Sequence, residues 1–265
     1  MTEDTASRGE SLRRFFNDIT PLVYDLQFAA DAPDVAFWVE QCRAWGGPVL
    51  ELGCGTGRVS IPLARDGFEV VGVDWAEPML AVARRRLKAE PMPVRRRVRL
   101  LPADMRDFRA DTTFACAIIP ASTFSILLTR EEQEKTLGNI HACLREEGRL
   151  GFDVRIFDEW IQSGRLPPTR SVSPDGGLDF TEERSFEFDE STRVMRATST
   201  YTFHAPKHLG SVTETTGGLV LSRAEVEDVL ASARFVVEAV WEDYDRTPLQ
   251  PESDRMIFVA GRRQS

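Results

Sequence analysis

Val49-Leu50-Glu51-Leu52-Gly53-Cys54-Gly55-Thr56-Gly57-Arg58 is the stretch that decides the fold of this 265-residue chain. Four apolar or strand-compatible positions run into three alternating glycines, and a helical pattern follows. The sequence therefore predicts a strand entering a glycine-rich turn that opens a helix, an arrangement suited to a nucleoside cofactor. Glycines at such a turn let the backbone bend sharply and approach a ligand that a Cβ would hold off. A nicotinamide dinucleotide is one candidate, because Gly53-Cys54-Gly55 begins the G-x-G-x-x-G fingerprint. The third glycine of that fingerprint would fall at position 58, which is Arg58. Glu51, two places before the first glycine, would repel a pyrophosphate and attract a cation.

Outward from the turn, strand and helix patterns alternate. Strands are expected at 49–52, 69–73, 97–101, 113–119 and 149–155, with helices at 58–66, 78–89 and 130–144 between them. Thr129 and Glu132, then Ser222 and Glu225, have capping-box spacing, and the second pair opens a helix at 223–233. Strands at 235–241 and 256–261 complete the pattern. Such βαβ alternation implies an α/β fold, a doubly wound and mostly parallel seven-stranded sheet. The alternation breaks between 158 and 218, where Phe180, Phe186 and Phe188 alternate with polar residues. A turn at Asp189–Thr192 follows, and Met195, Ala197, Ser199, Tyr201 and Phe203 alternate back. The expected organisation is a helical cap over 1–46, a core of 47–157 with 219–265, and an inserted antiparallel β lid over 158–218.

Ligands of such sheets lie beyond the carboxyl ends of the strands. Asp74 follows the second strand, 21 residues after Gly53, where a carboxylate can accept both ribose hydroxyls; its competing role is a helix cap. Asp104 and Met105 follow the third strand, with Asp107 as a nearby competitor, and Ile118 to Phe124 follow the fourth. The segments ELGCGTG, VGVDWAEPML, LLPADMRDF and LREEGRLGFDV resemble those of the class I S-adenosylmethionine-dependent methyltransferases, whose first motif is E/D-x-G-x-G-x-G. The resemblance implies that Glu51, Gly53, Gly55, Asp74, Trp75, Met79, Asp104, Met105 and Ile119 line a pocket for S-adenosylmethionine and its product S-adenosylhomocysteine. Within it, Asp104 would accept from the adenine amino group and Met105 would pack on the ring. One departure is Asp74-Trp75-Ala76, where the family usually has a serine as helix cap. The segment after strand four lacks the [D/N]-P-P-[Y/F/W] of nucleic-acid amino methyltransferases, which moves the acceptor toward small molecules. The expected lid looks like that of bacterial natural-product N-methyltransferases, so antibiotic biosynthesis enters as an expectation.

Composition agrees with an enzyme of this kind. With 42% hydrophobic and 28% charged residues and a net charge of −9, the chain reads as an ordinary globular protein that does not coat nucleic acid. Arg84–Arg86, Lys88, Arg95–Arg97 and Arg99 form a basic cluster without interleaved aromatics, read as a solvated helix end and loop. The four widely spaced cysteines fit reduced thiols better than a zinc site or disulfides, so no metal is expected. The sequence shows no signal-peptide core and no run of eighteen apolar residues, so a cytoplasmic protein with no membrane partner is expected.

Methyl transfer from a sulfonium is an in-line displacement, and aligning two reactants lowers a barrier by about 7–11 kcal/mol without a strong base. An amine need only arrive neutral, whereas a hydroxyl benefits from a base. Tyr24 and His204 are the candidate catalytic residues, with His208 and the mid-helix His141 as lesser ones. Phe16, Tyr24, Phe124 and Tyr201 are the candidate acceptor-binding aromatics. The expected activity is methylation of an amine, and less so a hydroxyl, of a small molecule. O-, tRNA or protein methylation, a cofactor-binding homologue without transfer, and a nucleic-acid module are the rivals. Homo-oligomerisation is left open.

Overall fold

The structure is a computed structural model, described over residues 20–28, 33–156, 167–251 and 253–263. Among these residues, eleven strands form two sheets. The larger holds β1 (Val49–Leu52), β2 (Val70–Asp74), β3 (Val98–Pro102), β4 (Phe114–Ile119), β5 (Leu144–Arg155), β10 (Phe235–Trp241) and β11 (Arg255–Arg262), in the order β10-β11-β5-β4-β1-β2-β3. β1 to β5 run parallel, and β11 lies antiparallel between β5 and β10. This is the doubly wound seven-stranded sheet that the alternation predicts. Every residue of β1 and β4 is buried, as expected of parallel strands covered on both faces. The strand order reverses at β1, so the crevice beyond its carboxyl end is the natural ligand position.

Helices cover both faces: α1 (Thr20–Gln27), α2 (Pro33–Trp45), α3 (Ser60–Arg65), α4 (Glu77–Ala89), α5 (Met92–Arg95), α6 (Arg130–Cys143) and α7 (Arg223–Ser232). Both capping boxes form, at Thr129/Glu132 and Ser222/Glu225. The missing serine before α4 does not delay that helix. Asp74 Oδ1 accepts from the Ala76 N–H at 2.8 Å, and Pro78 sits in the first turn. The tryptophans of α2 press against β5 at Gly151, where an added Cβ would stand 2.6 Å from Trp38 and 2.8 Å from Trp45. Any larger residue there would push α2 off the sheet. β5 starts at Leu144 rather than near 149, because the chain turns directly from α6 into the strand.

The second sheet is antiparallel, in the order β6 (Thr169–Val172), β7 (Asp179–Asp189), β8 (Val194–Ala205), β9 (Ser211–Leu219). The alternating phenylalanines signalled its central hairpin; the polar outer strands β6 and β9 carry no such pattern. Val23 packs with Phe180, Tyr201 and Phe203 in one apolar cluster, so α1 is wedged against this sheet. The expected site residue Phe16 lies outside the described residues.

Candidate functional site

A cavity of about 620 Å³ opens at the carboxyl ends of the strands and is roofed by the second sheet. That volume is in the range of small-molecule sites, about 300–1,000 Å³. Its floor begins at the glycine turn. Gly53 has φ +70°, and a Cβ there would stand 2.5 Å from Thr123 Cγ2, so only glycine fits between β1 and the turn after β4. Asp74 closes the turn: its Oδ2 accepts from the Gly55 N–H at 2.8 Å. Burial raises the Asp74 pKa, opposed by the backbone N–H groups of Ala76 and Gly55.

Gly53, Gly55, Asp74, Trp75, Met79 and Met105 all line the cavity, with Ala103 beside them. Three other expected pocket residues do not. Glu51 is 2% exposed and lies beneath the glycine turn, where it accepts from the Ser60 hydroxyl. Its carboxylate is therefore not a wall facing a cation, because β1 turns the side chain toward α3. Ile119 is fully buried in the core, and the residues after it, Ala121 to Thr123, form the wall instead. Asp104 is half-buried, is not among the lining residues, and accepts from Arg106 through Nε at 2.9 Å and Nη2 at 2.6 Å. Burial opposes its charge, but Arg106 holds its carboxyl below the usual range.

Burial pushes Glu51 up to about 8, against the opposing Ser60 and Arg58. A folded pKa above the unfolded one means that the native state keeps a proton that the unfolded chain releases. Its contribution to stability is thus full below pH 4.5 and fades as pH rises toward 8. Glu51→Gln should remove that slope and, between these limits, gain on the wild type by up to about 5 kcal/mol in urea unfolding. Parallel pH profiles for the two proteins would refute it.

The N-terminal helix brings Tyr24 to the cavity wall. Asp25 anchors it, accepting from Thr56 Oγ1 at 2.6 Å and from Arg86 Nη1 at 3.0 Å, while Gln27 donates to Glu182 Oε2 at 2.8 Å. Beside Tyr24 lies a buried bidentate pair, Arg58 Nη1 and Nη2 on Asp34 Oδ1 and Oδ2 at 2.8 and 2.5 Å. Burial raises the Tyr24 pKa, so its phenol is neutral at pH 7.

The remaining expected residues lie elsewhere. His204 is exposed, bonded to Thr181 Oγ1 at 2.9 Å. In β8 the odd positions Met195, Ala197 and Ser199 face the cavity, so strand alternation turns His204 outward. Tyr201 is fully buried between the second sheet and α1, with its hydroxyl accepting from Gln27 at 3.3 Å. Phe124 is fully buried, its ring tilted against Phe152 with centroids 4.6 Å apart in the main core. None of the three histidines lines the cavity.

Sequence reasoning missed the far wall: Asp153 and Arg155 from β5, Arg255 from β11, and Asp243 and Tyr244 from the preceding loop. The only available signal was the position of Asp153 near the carboxyl end of a strand. All four cysteines are free thiols, and no cluster of metal-binding side chains occurs among the described residues. No helix among them is long and apolar enough to cross a membrane.

A family model described as a methyltransferase domain matches residues 49–148. YqeM of Bacillus subtilis, provisionally named a methyltransferase, is 26% identical over 224 residues, 84% of this chain and 87% of that protein. The dTDP-3-amino-3,4,6-trideoxy-alpha-D-glucopyranose N,N-dimethyltransferase of Streptomyces venezuelae is 31% identical over 149 residues, 54% of this chain and 60% of that protein. The solved CcbJ methyltransferase from Streptomyces caelestis superposes with a TM-score of 0.77 at 21% identity, covering 94% of this chain and 98% of that one. That likeness extends the shared fold across both sheets.

Proposed function

Because the chain is an S-adenosylmethionine-dependent methyltransferase, we propose that it methylates an amine nitrogen of a small molecule. The observation that carries this reading is a cavity wall without histidine. An amine needs only to arrive neutral and aligned, whereas a hydroxyl acceptor benefits from a base. The amino-sugar N,N-dimethyltransferase among the relatives supports the same choice, and with it a secondary-metabolite acceptor. Four free thiols accord with action in the cytoplasm.

The cavity suits the cofactor. The backbone cradle at Gly53 and Gly55 admits close approach, and Asp74 presents a fixed carboxylate for ribose hydroxyls. Trp75, Met79 and Met105 offer apolar walls, whereas Asp104 is not among the lining residues and its carboxylate is held by Arg106. When bound, S-adenosylmethionine supplies a methyl group already activated on a sulfonium, so the chain must align the acceptor and exclude water. In this reading the second sheet is the substrate lid. Arg184, Met195 and Ser199 from it line the cavity. Tyr24, held between glycine turn and lid, positions the acceptor through its neutral phenol.

The test is transfer of labelled methyl from S-adenosylmethionine into matched amines and phenols. Amines should take up label; faster uptake by phenols would overturn the nitrogen assignment. Tyr24→Phe should lower turnover by about tenfold, one hydrogen bond's worth, with S-adenosylhomocysteine affinity retained. Undiminished turnover would remove Tyr24 from the site.

A further inference from the structure

The second sheet turns a face of two kinds toward the rest of the chain. Its antiparallel register sets side chains on that face in rows across β7, β8 and β9. Arg184, Ser199 and Glu214 form one row, Phe186, Ala197 and Thr216 the next, and Met195 lies opposite Gly218 in a third. The first row is polar. Arg184 donates through Nε to Ser199 Oγ at 3.0 Å and pairs with Glu182, N to O 2.6 Å. In the other two rows, Phe186, Ala197 and Met195 present only carbon and sulfur, and all three line the cavity. Facing them are Ile126 from the turn after β4, Ile156 after β5, and Leu219 at the end of β9. These last three pack on the main core, so the core itself surfaces inside the cavity. All six side chains are only half-buried.

The charged groups of the far wall are matched within the protein. Arg155 pairs with Asp254 at 3.0 Å, and Arg255 with Asp243 at 3.4 Å while stacking 4.7 Å over the Tyr244 ring. The surface that gains most from receiving a ligand is therefore the apolar one, since contiguous exposed apolar surface marks binding sites and its burial drives association. Its placement separates it from the nucleoside end. β4 and β5 lie on the side of β1 away from β2, the strand that carries Asp74. The apolar chamber belongs to the acceptor half of the cavity.

We propose that the methyl acceptor is an alkyl or aryl amine whose apolar body sits beneath Phe186, Ala197 and Met195, and that Ala197 sets its size. This rests on the small-molecule amine reading above and narrows it to amines with an apolar body. Ala197 is the recess of the roof, with Phe186 opposite it on β7 and Met195 two places before it on β8. The chamber also prepares the nucleophile. An apolar surround disfavours the ammonium form, so it favours the neutral nitrogen that transfer needs where no histidine lines the wall. A polyhydroxylated body would give up hydrogen bonds to water against three side chains that offer none in return.

The experiment is calorimetric titration of the full chain, saturated with S-adenosylhomocysteine, with primary amines from propylamine to hexylamine and with phenethylamine. Amino alcohols of the same chain lengths and glucosamine are the polar counterparts. Affinity should rise about fourfold with each added methylene until the chamber is full, the factor for burying one such group. The polar counterparts should bind about tenfold or more weakly than apolar amines of similar size. Ala197→Phe fills the recess and should lower the affinity for hexylamine relative to propylamine by about tenfold or more. Its affinity for S-adenosylhomocysteine reports whether the variant folds, and the wild-type series decides even if it does not. Affinities independent of chain length, or amino alcohols that bind as well as their alkyl counterparts, would overturn the proposal. The readout is binding, so it is separate from the transfer assay above. Rising affinities without methyl transfer would count against the nitrogen assignment, and flat affinities with transfer against the apolar chamber.

Discussion

Arg58→Met is expected to lower the unfolding free energy by about 3–5 kcal/mol, the loss typical of a buried ion pair deprived of one partner. Arg58 and Asp34 are 4% and 9% exposed in their side chains, so water cannot replace the lost guanidinium. Asp34 would be left as a buried, uncompensated carboxylate at the start of α2. The pair also joins α2 to the end of the glycine turn, so its loss loosens the layer that supports the cavity. Replacing both partners together, Asp34→Leu with Arg58→Met, should recover most of the loss, since no charge then remains buried. Urea unfolding with unchanged slope is the measurement. A single variant as stable as the wild type, or a double variant worse than the single, would refute the argument.

Asp74→Ala is expected to weaken S-adenosylhomocysteine binding by about 100-fold or more. The carboxylate is fixed by the N–H groups of Gly55 and Ala76, each at 2.8 Å, which leaves its remaining lone pairs for two ribose hydroxyls. Hydrogen bonds to a charged group contribute about 1.5–3 kcal/mol each, and two of them correspond to at least two decades in affinity. Asp74→Asn, which keeps one acceptor, should fall between alanine and wild type. Thermal unfolding without ligand separates a melted turn from lost binding. A variant with wild-type affinity would place the ribose elsewhere.

The residues that were readable in advance share one property: their role is set by neighbours in sequence. Gly53, Gly55 and Asp74 belong to strand ends and turns, where a few consecutive residues fix the backbone. The capping boxes at Thr129 and Ser222 are local for the same reason. The aromatic and histidine candidates failed differently. Phe124, Tyr201 and His204 carry suitable chemistry, but their direction depends on which face of a strand or turn meets which layer. Phe124 turned into the core, Tyr201 into the seam with α1, and His204 to the outer face. Glu51 had the right position and the wrong depth, one layer below the cavity floor.

The sequence by itself determined the parallel α/β sheet and the glycine turn, because hydrophobic periodicity and turn chemistry act over short stretches; the cofactor came from the resemblance of its motifs to those of S-adenosylmethionine-dependent methyltransferases. Only the tertiary structure decided the far wall of the cavity. Asp153 and Arg255 are 102 residues apart, and they meet because β11 inserts antiparallel beside β5. The roof over them depends equally on α1 packing against the second sheet. Pairings at such separations are set by the closure of the whole sheet and by burial on both of its faces. No local pattern records them.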